Sequence, residues 1–119
     1  MNADADCLFC RIVAGEIPAD IVLSTDRFVA FRDISPQAPT HVLVVPRDHY
    51  ADLPALAAAD PQAAGELLAA AAEVARGDGL GDAFRLVMNT GRAAGQTVFH
   101  VHAHVLGGRP MGWPPFPPG

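Results

Sequence analysis

Gly95-Gln96-Thr97-Val98-Phe99-His100-Val101-His102-Ala103-His104-Val105-Leu106-Gly107-Gly108 carries three of the chain's five histidines, separated by single small apolar residues. Its valines and flanking glycines favour a strand over a helix. Successive side chains of a strand point to opposite faces, so His100, His102 and His104 share one face. Phe99, Val101, Ala103 and Val105 take the other. A helix would instead turn His102 away from its two neighbours. The stretch therefore predicts a sheet with a row of imidazoles on one side and an apolar surface on the other.

Spacing limits what such a row can do. At roughly 3.3 Å per residue, the first and third histidines lie about 13 Å apart. Nitrogens sharing one zinc at about 2.0 Å must lie within about 4 Å of each other. One ion cannot take all three. Imidazoles facing a common cleft suit other work, because histidine titrates near neutrality and serves as nucleophile, donor or acid. Gly95-Gln96-Thr97, just upstream, offers N–H groups and a hydroxyl of the kind that hold phosphate. The plainer alternative is three solvated histidines on an exposed sheet face.

Working outward, 83–89 reads as a strand with Phe84, Leu86 and Met88 on one face, joined to the histidine strand by the loop 89–94. His41 to Val45 is a continuous β-branched run, expected as a buried strand ended by Pro46. Ile21 to Leu23 and Phe28 to Arg32 flank Ser24-Thr25-Asp26-Arg27 as a hairpin. Ser35-Pro36-Gln37-Ala38-Pro39 must be a loop. The main helix is expected over 53–76, broken or kinked before Pro61, with Asp60 as cap and Leu67, Ala71 and Val74 on its apolar stripe. Cys7 to Ala14 reads as a short helix stopped by Gly15. Residues 1–6 are expected to be disordered, and the proline-rich 109–119 extended. The sum is an α+β fold: an antiparallel sheet of about five strands with one long and one short helix, in a single domain over 1–119.

With 119 residues, half of them hydrophobic, the chain can bury a core without disulfides. A net charge of −5 and a pI near 5.3 argue against nucleic-acid polymers and anionic membranes as partners. No apolar run approaches 18 residues and the N-terminus is polar and acidic, so neither signal peptide nor membrane span is expected. The expected compartment is the cytoplasm, where Cys7 and Cys10 would not be a disulfide framework. The absence of lysine excludes Schiff-base chemistry. No Gly-x-Ser-x-Gly elbow, Walker loop or dinucleotide fingerprint is present. Cys7-x-x-Cys10 itself reads as a redox pair lacking its usual βαβ setting, as two buried thiols, or as half of a metal site.

His100-Val101-His102-Ala103-His104-Val105-Leu106 resembles the signature of the histidine triad superfamily of nucleotide hydrolases and transferases. Asp33-Ile34-Ser35-Pro36-Gln37-Ala38-Pro39-Thr40-His41 and the ending Gly107-Gly108-Arg109-Pro110-Met111-Gly112-Trp113-Pro114-Pro115 are similar to its Hint branch. The likeness runs from about Cys7 to Pro115. It implies a phosphoramidase acting on purine nucleoside monophosphates, AMP or GMP, joined through phosphorus to an amine. His102, central in its row, would be the nucleophile, forming a nucleotidyl-histidine that water then releases. A neutral imidazole can attack phosphorus when its other nitrogen is tied down, often by a backbone carbonyl. His104 would donate to the phosphate oxygens and His41 would support the row or transfer a proton. Thr97, where the branch usually has serine, would donate its hydroxyl to phosphate or leaving group.

The resemblance further implies ribose binding at Asp33, a base lying on Ile34, and nucleotide contacts at Asn89, Gly95, Gln96, Thr97, His102, His104 and Trp113. Some members carry a structural zinc site, which here would be Cys7, Cys10, His49 and His100, with no metal needed for the chemistry. Members also pair as two-fold dimers with a continuous sheet, and Trp113 would pack at that interface. Two rival functions stand beside this one: a dinucleoside polyphosphate hydrolase or nucleotidylyltransferase, and a zinc-stabilised nucleotide-binding scaffold with little turnover.

Overall fold

The computed structural model describes residues 4–115; the expectations for residues 1–3 and for Phe116 to Gly119 lie outside them. Five strands form one antiparallel sheet: β1 (Ile21–Ser24), β2 (Phe28–Arg32), β3 (Thr40–Pro46), β4 (Phe84–Val87) and β5 (Ala103–Gly107), in the order β1-β2-β3-β5-β4. The last strand in sequence is thus inserted between β3 and β4, which puts the histidine stretch in the middle of the sheet. Three α-helices complete the fold: α1 (Leu8–Val13), α2 (Leu53–Ala59) and α3 (Pro61–Gly77). None is long and apolar enough to cross a membrane.

The break expected before Pro61 is complete and separates two helices. Pro61 has no N–H for a preceding turn, and Asp60 is extended there (φ −152°, ψ 78°), so the chain stops and restarts. Asp60 serves both pieces: its N–H closes α2 on Leu56, and its side chain accepts from the Ala63 N–H at the start of α3. The outcome is one long and two short helices. Leu67, Ala71 and Val74, the stripe legible in the sequence, pack with Leu56 on Phe28, Ala30, Val42, Val44, Val101, Ala103 and Val105. The opposite face of the sheet holds Val29, Phe31, Leu43 and Val45 beneath Cys7, Phe9 and Cys10 of the α1 segment. β3 is therefore buried on both faces, as its unbroken β-branched run requires.

The histidine strand is shorter than expected. Pairing with β3 ends at Val44 opposite Ala103, and His100 to His102 lie before the ladder. Proline supplies the reason: Pro46 has no N–H to offer the ladder. Its carbonyl instead accepts from the His100 ring, and the Val101 N–H goes to Tyr50 O at 2.7 Å. The alternation of faces nevertheless survives, since Val101, Ala103 and Val105 all join the helix-side core.

Candidate functional site

His104 on β5 sits opposite Leu43 of β3, and His41 on β3 sits opposite Leu106 of β5, so the two rings occupy neighbouring positions on one face. Their centroids are 5.2 Å apart, and His102 follows at 5.0 Å from His104. The row is thus His102, His104, His41, across two strands. His100 leaves it for another cluster.

Hydrogen bonds fix where each proton sits. His41 Nδ1 accepts the Gln37 N–H at 3.0 Å, so in the neutral ring Nε2 carries the proton. That Nε2–H donates to His104 Nδ1 at 2.9 Å. His104 must then carry its own proton on Nε2, a buried atom without a hydrogen-bond partner among the described residues. His102 is arranged the other way round: its Nδ1–H donates to the His100 carbonyl at 2.7 Å, leaving a lone pair on Nε2. Two adjacent imidazoles therefore present one nucleophilic nitrogen and one donor.

Burial keeps these rings neutral. Desolvation is the largest influence on each; it lowers the pKa of His41 and His102 and takes His104, next to both, down to about 4. Asp33 opposes the shift in all three. One of its oxygens lies 3.5 Å from His41 Nε2, while the other accepts the Ser35 N–H and shapes the loop. The carboxylate is thus a turn-maker whose second oxygen faces the imidazole row. Next in sequence, Ile34 is an apolar side chain 99% exposed.

The loop before the histidines differs from its expected role. Gly95 closes a 3₁₀ turn in the left-handed region (φ 97°), where a side chain would be strained. Its N–H is spent on Arg92 O and that of Gln96 on Gly91 O. Gln96 is buried, its amide oxygen accepting from the Gly91 N–H and its amide nitrogen donating to Ala51 O and Val98 O. Gly95 and Gln96 build the loop from within and do not offer these groups to a ligand. Asn89 lies against Gly95. Thr97 is exposed, in a groove it shares with Cys7, His49 and Phe99. Trp113 is 83% exposed, on a tail segment held by the Arg85 guanidinium through Gly112 O at 2.7 Å.

His100 belongs to a second cluster. Its Nε2–H donates to Pro46 O at 2.8 Å, which leaves Nδ1 facing Cys7 Sγ at 3.4 Å and Cys10 Sγ at 3.5 Å. His49 Nδ1 lies 3.4 Å from Cys10 Sγ. All four ligand atoms fall within 4.8 Å of one another, so the set can hold a metal ion. Bonds of about 2.3 Å to sulfur and 2.0 Å to nitrogen give tetrahedral N···S edges of about 3.5 Å. The observed separations match those edges, and the second nitrogen of His100 is already anchored to a carbonyl, as metal-bound histidines usually are. Asp33, His41 and His104 are also close together. There the 2.9 Å between nitrogens is a hydrogen bond, shorter than the roughly 3.3 Å edge of two nitrogen ligands.

Three contributors were not legible in advance: the Gln37 N–H that sets the His41 proton, the Pro46 carbonyl that diverts His100, and Phe9. The Phe9 ring stands edge-on to both His100 and His102, with centroids at 6.0 and 5.0 Å. Only Phe9 had a sequence signal, its place between the two cysteines.

Comparison with known proteins agrees with this geometry. Residues 14–111 match the HIT domain. An uncharacterized HIT-like protein of Synechocystis is 52% identical over 113 residues, covering 92% of this chain and 96% of that one. The purine nucleoside phosphoramidase of Escherichia coli K12 is 46% identical over 108 residues, covering 90% of this chain and 91% of its own. Among solved structures, a HIT family hydrolase from Legionella pneumophila superposes with a TM-score of 0.89 at 45% identity, covering 93% of this chain and all of that one.

Proposed function

The chain belongs to the HIT domain family, and from that premise we propose that it hydrolyses the P–N bond of purine nucleoside phosphoramidates through a covalent nucleotidyl-His102. The observation that carries the proposal is the opposed placement of protons on His102 and His104. His102 Nε2 has a free lone pair, and its neighbour holds an unsatisfied N–H where a phosphate oxygen would accept it.

In the first step the His102 Nε2 lone pair attacks the α-phosphorus. The P–N bond to the substrate amine breaks, and the amine departs with a proton relayed from water by the Thr97 hydroxyl. The His102 Nδ1–H bond to the His100 carbonyl stabilises the positive charge that the ring acquires. His104 Nε2–H stabilises the phosphoryl oxygens, backed by His41. In the second step the hydroxide of the water that gave up the amine's proton attacks phosphorus, the P–N bond to His102 breaks, and the ring returns to its neutral form as AMP or GMP leaves. Asp33 accepts hydrogen bonds from the ribose hydroxyls and Ile34 lies against the base, with Asn89 a contact for phosphate or ribose. Cys7, Cys10, His49 and His100 hold one zinc ion, which gives structural support and stands outside both steps.

Replacing His102 with Ala is expected to lower turnover of an adenosine phosphoramidate by about 10³-fold or more, with AMP affinity changed only a few-fold. Rapid acid quench of the unsubstituted enzyme should trap an acid-labile adenylyl-protein. Near-normal turnover by His102→Ala would reject the reading. Absence of turnover in the unsubstituted protein, with AMP still bound, would instead indicate a nucleotide-binding scaffold.

A further inference from the structure

The Cys7-x-x-Cys10 segment and the imidazole row are in direct contact through two routes. The first is a chain of hydrogen-bonding groups. His100 is fixed at Nε2 by Pro46 O and faces both sulfurs with Nδ1, while its own carbonyl accepts the His102 Nδ1–H. The backbone of His100 lies outside the β-ladder, so its carbonyl is held by the Val101 N–H of the same peptide, bonded to Tyr50 O at 2.7 Å, and by the anchored ring of His100. The second route is Phe9, buried between the cysteines, whose ring packs edge-on against His102 at 5.0 Å and His100 at 6.0 Å and is braced by Phe31 at 5.4 Å. α1 is six residues long, with Cys7 Sγ accepting the Cys10 N–H as its cap. Nothing so short holds its shape alone. Cys7 Sγ, which caps it, and Cys10 Sγ also set where Phe9 and His100 stand.

We propose that the Cys7–Cys10 segment is a positioning device for His102: the cysteine–histidine cluster fixes His100, the His100 carbonyl fixes the His102 Nδ1–H, and Phe9 fixes the plane of the ring. Cys7, Cys10, His100 and Phe9 are on this view positioning residues that touch no reacting atom. The inference rests on His102 being the nucleophile. It goes beyond that reading because the cluster then acts on the rate as well as on stability, with no metal chemistry involved. When the segment loosens, the His102 ring can turn and its proton can move to Nε2, and in that form it cannot attack.

The test reads the His102 ring directly by long-range ¹H–¹⁵N correlation, which suits a chain of 12.4 kDa. Cys10→Ser and Phe9→Leu are each compared with the zinc-loaded unsubstituted protein. In both variants the expected result is a His102 pattern shifted from a fixed Nδ1–H towards a mixture of tautomers. A kcat lower by about tenfold and a Kd for AMP within about twofold are expected alongside it. If Cys10→Ser fails to fold, the unsubstituted protein is stripped with a chelator in the cold and reloaded with zinc; the His102 pattern should loosen and then recover. Folded variants with unshifted His102 signals and unchanged kcat overturn the proposal. So does an equal loss of kcat and AMP affinity with unshifted signals, which would mean general distortion. Failure of the underlying reading looks different: His102→Ala would keep its turnover whatever the ring signals do.

Discussion

A neutral imidazole has one proton and two nitrogens, so its chemistry is decided by which nitrogen a neighbour claims. At His102 the claimant is the His100 carbonyl; at His41 it is the Gln37 N–H, and His104 inherits its arrangement from His41. Burial then keeps the rings neutral, taking His104 down to about 4. The consequence for pH has a definite sign. An unfolded chain protonates His104 near the ordinary histidine value of about 6.5, and the folded chain does so only near 4. Between those values the unfolded state binds more protons, so stability falls as pH drops. His41, His100 and His102 are lowered as well and act in the same direction. Thermal unfolding followed from pH 7 to 5, where carboxylates stay ionised, should show a falling Tm, and His104→Gln should flatten that slope. Turnover should keep its neutral-pH plateau further into acid than an ordinary imidazole would allow, and His104→Gln should lower it by about 100-fold. A Tm that is flat or rising over this range would contradict the argument. The sequence disclosed which face these side chains take, because period two is a local property. It could not disclose the proton positions, which depend on loop groups that only folding brings near.

Elements were legible where a strong local signal dominated. The β-branched run of β3, the hairpin of β1 and β2, and the stripe on α3 follow from pattern alone. The break expected before Pro61 is there, and one boundary moved: Pro46 ended the ladder before His102. That shift matters because it leaves the Val101 N–H to Tyr50 O and the Pro46 carbonyl to the His100 ring. α1 shows the complementary case, an element that its own length cannot sustain. With Cys7, Cys10, His49 and His100 brought together, the proposed zinc would tie α1 to the loop after β3 and to the start of the histidine stretch. Protein purified without added zinc should contain about one zinc per chain by elemental analysis. Removing it should lower Tm on the order of 10 °C or more, and Cys7→Ser should reproduce that loss. Two free thiols and no zinc in the purified protein would refute the site.

At the scale of the molecule the sheet ends in two open edges, β1 and β4, and unpaired edges invite pairing. β4 is the better candidate. It begins at the half-exposed Phe84, and Arg85 holds the tail beside it through Gly112 O. Arg109 anchors the root of the same tail by donating to Gln37 O at 2.9 Å, on the very residue whose N–H sets the His41 proton. The tail is thus fastened to the imidazole face at two points while its indole, Trp113, stands clear of its own protomer. A groove of about 370 Å³ runs between Gln37, Leu106, Arg109 and Pro115, at the His41 end of the imidazole row. A two-fold pairing through β4 would cover the edge, bury both indoles and wall off each groove with the partner's tail. Light scattering at micromolar concentration should therefore give about twice the mass of one chain. Truncation after Arg109 should shift the order of preference among amine leaving groups by about tenfold, the value of one or two buried apolar contacts, and change the Kd for AMP by less. A monomer, or a truncated protein with unaltered selectivity, would show that the tail serves neither assembly nor leaving-group choice.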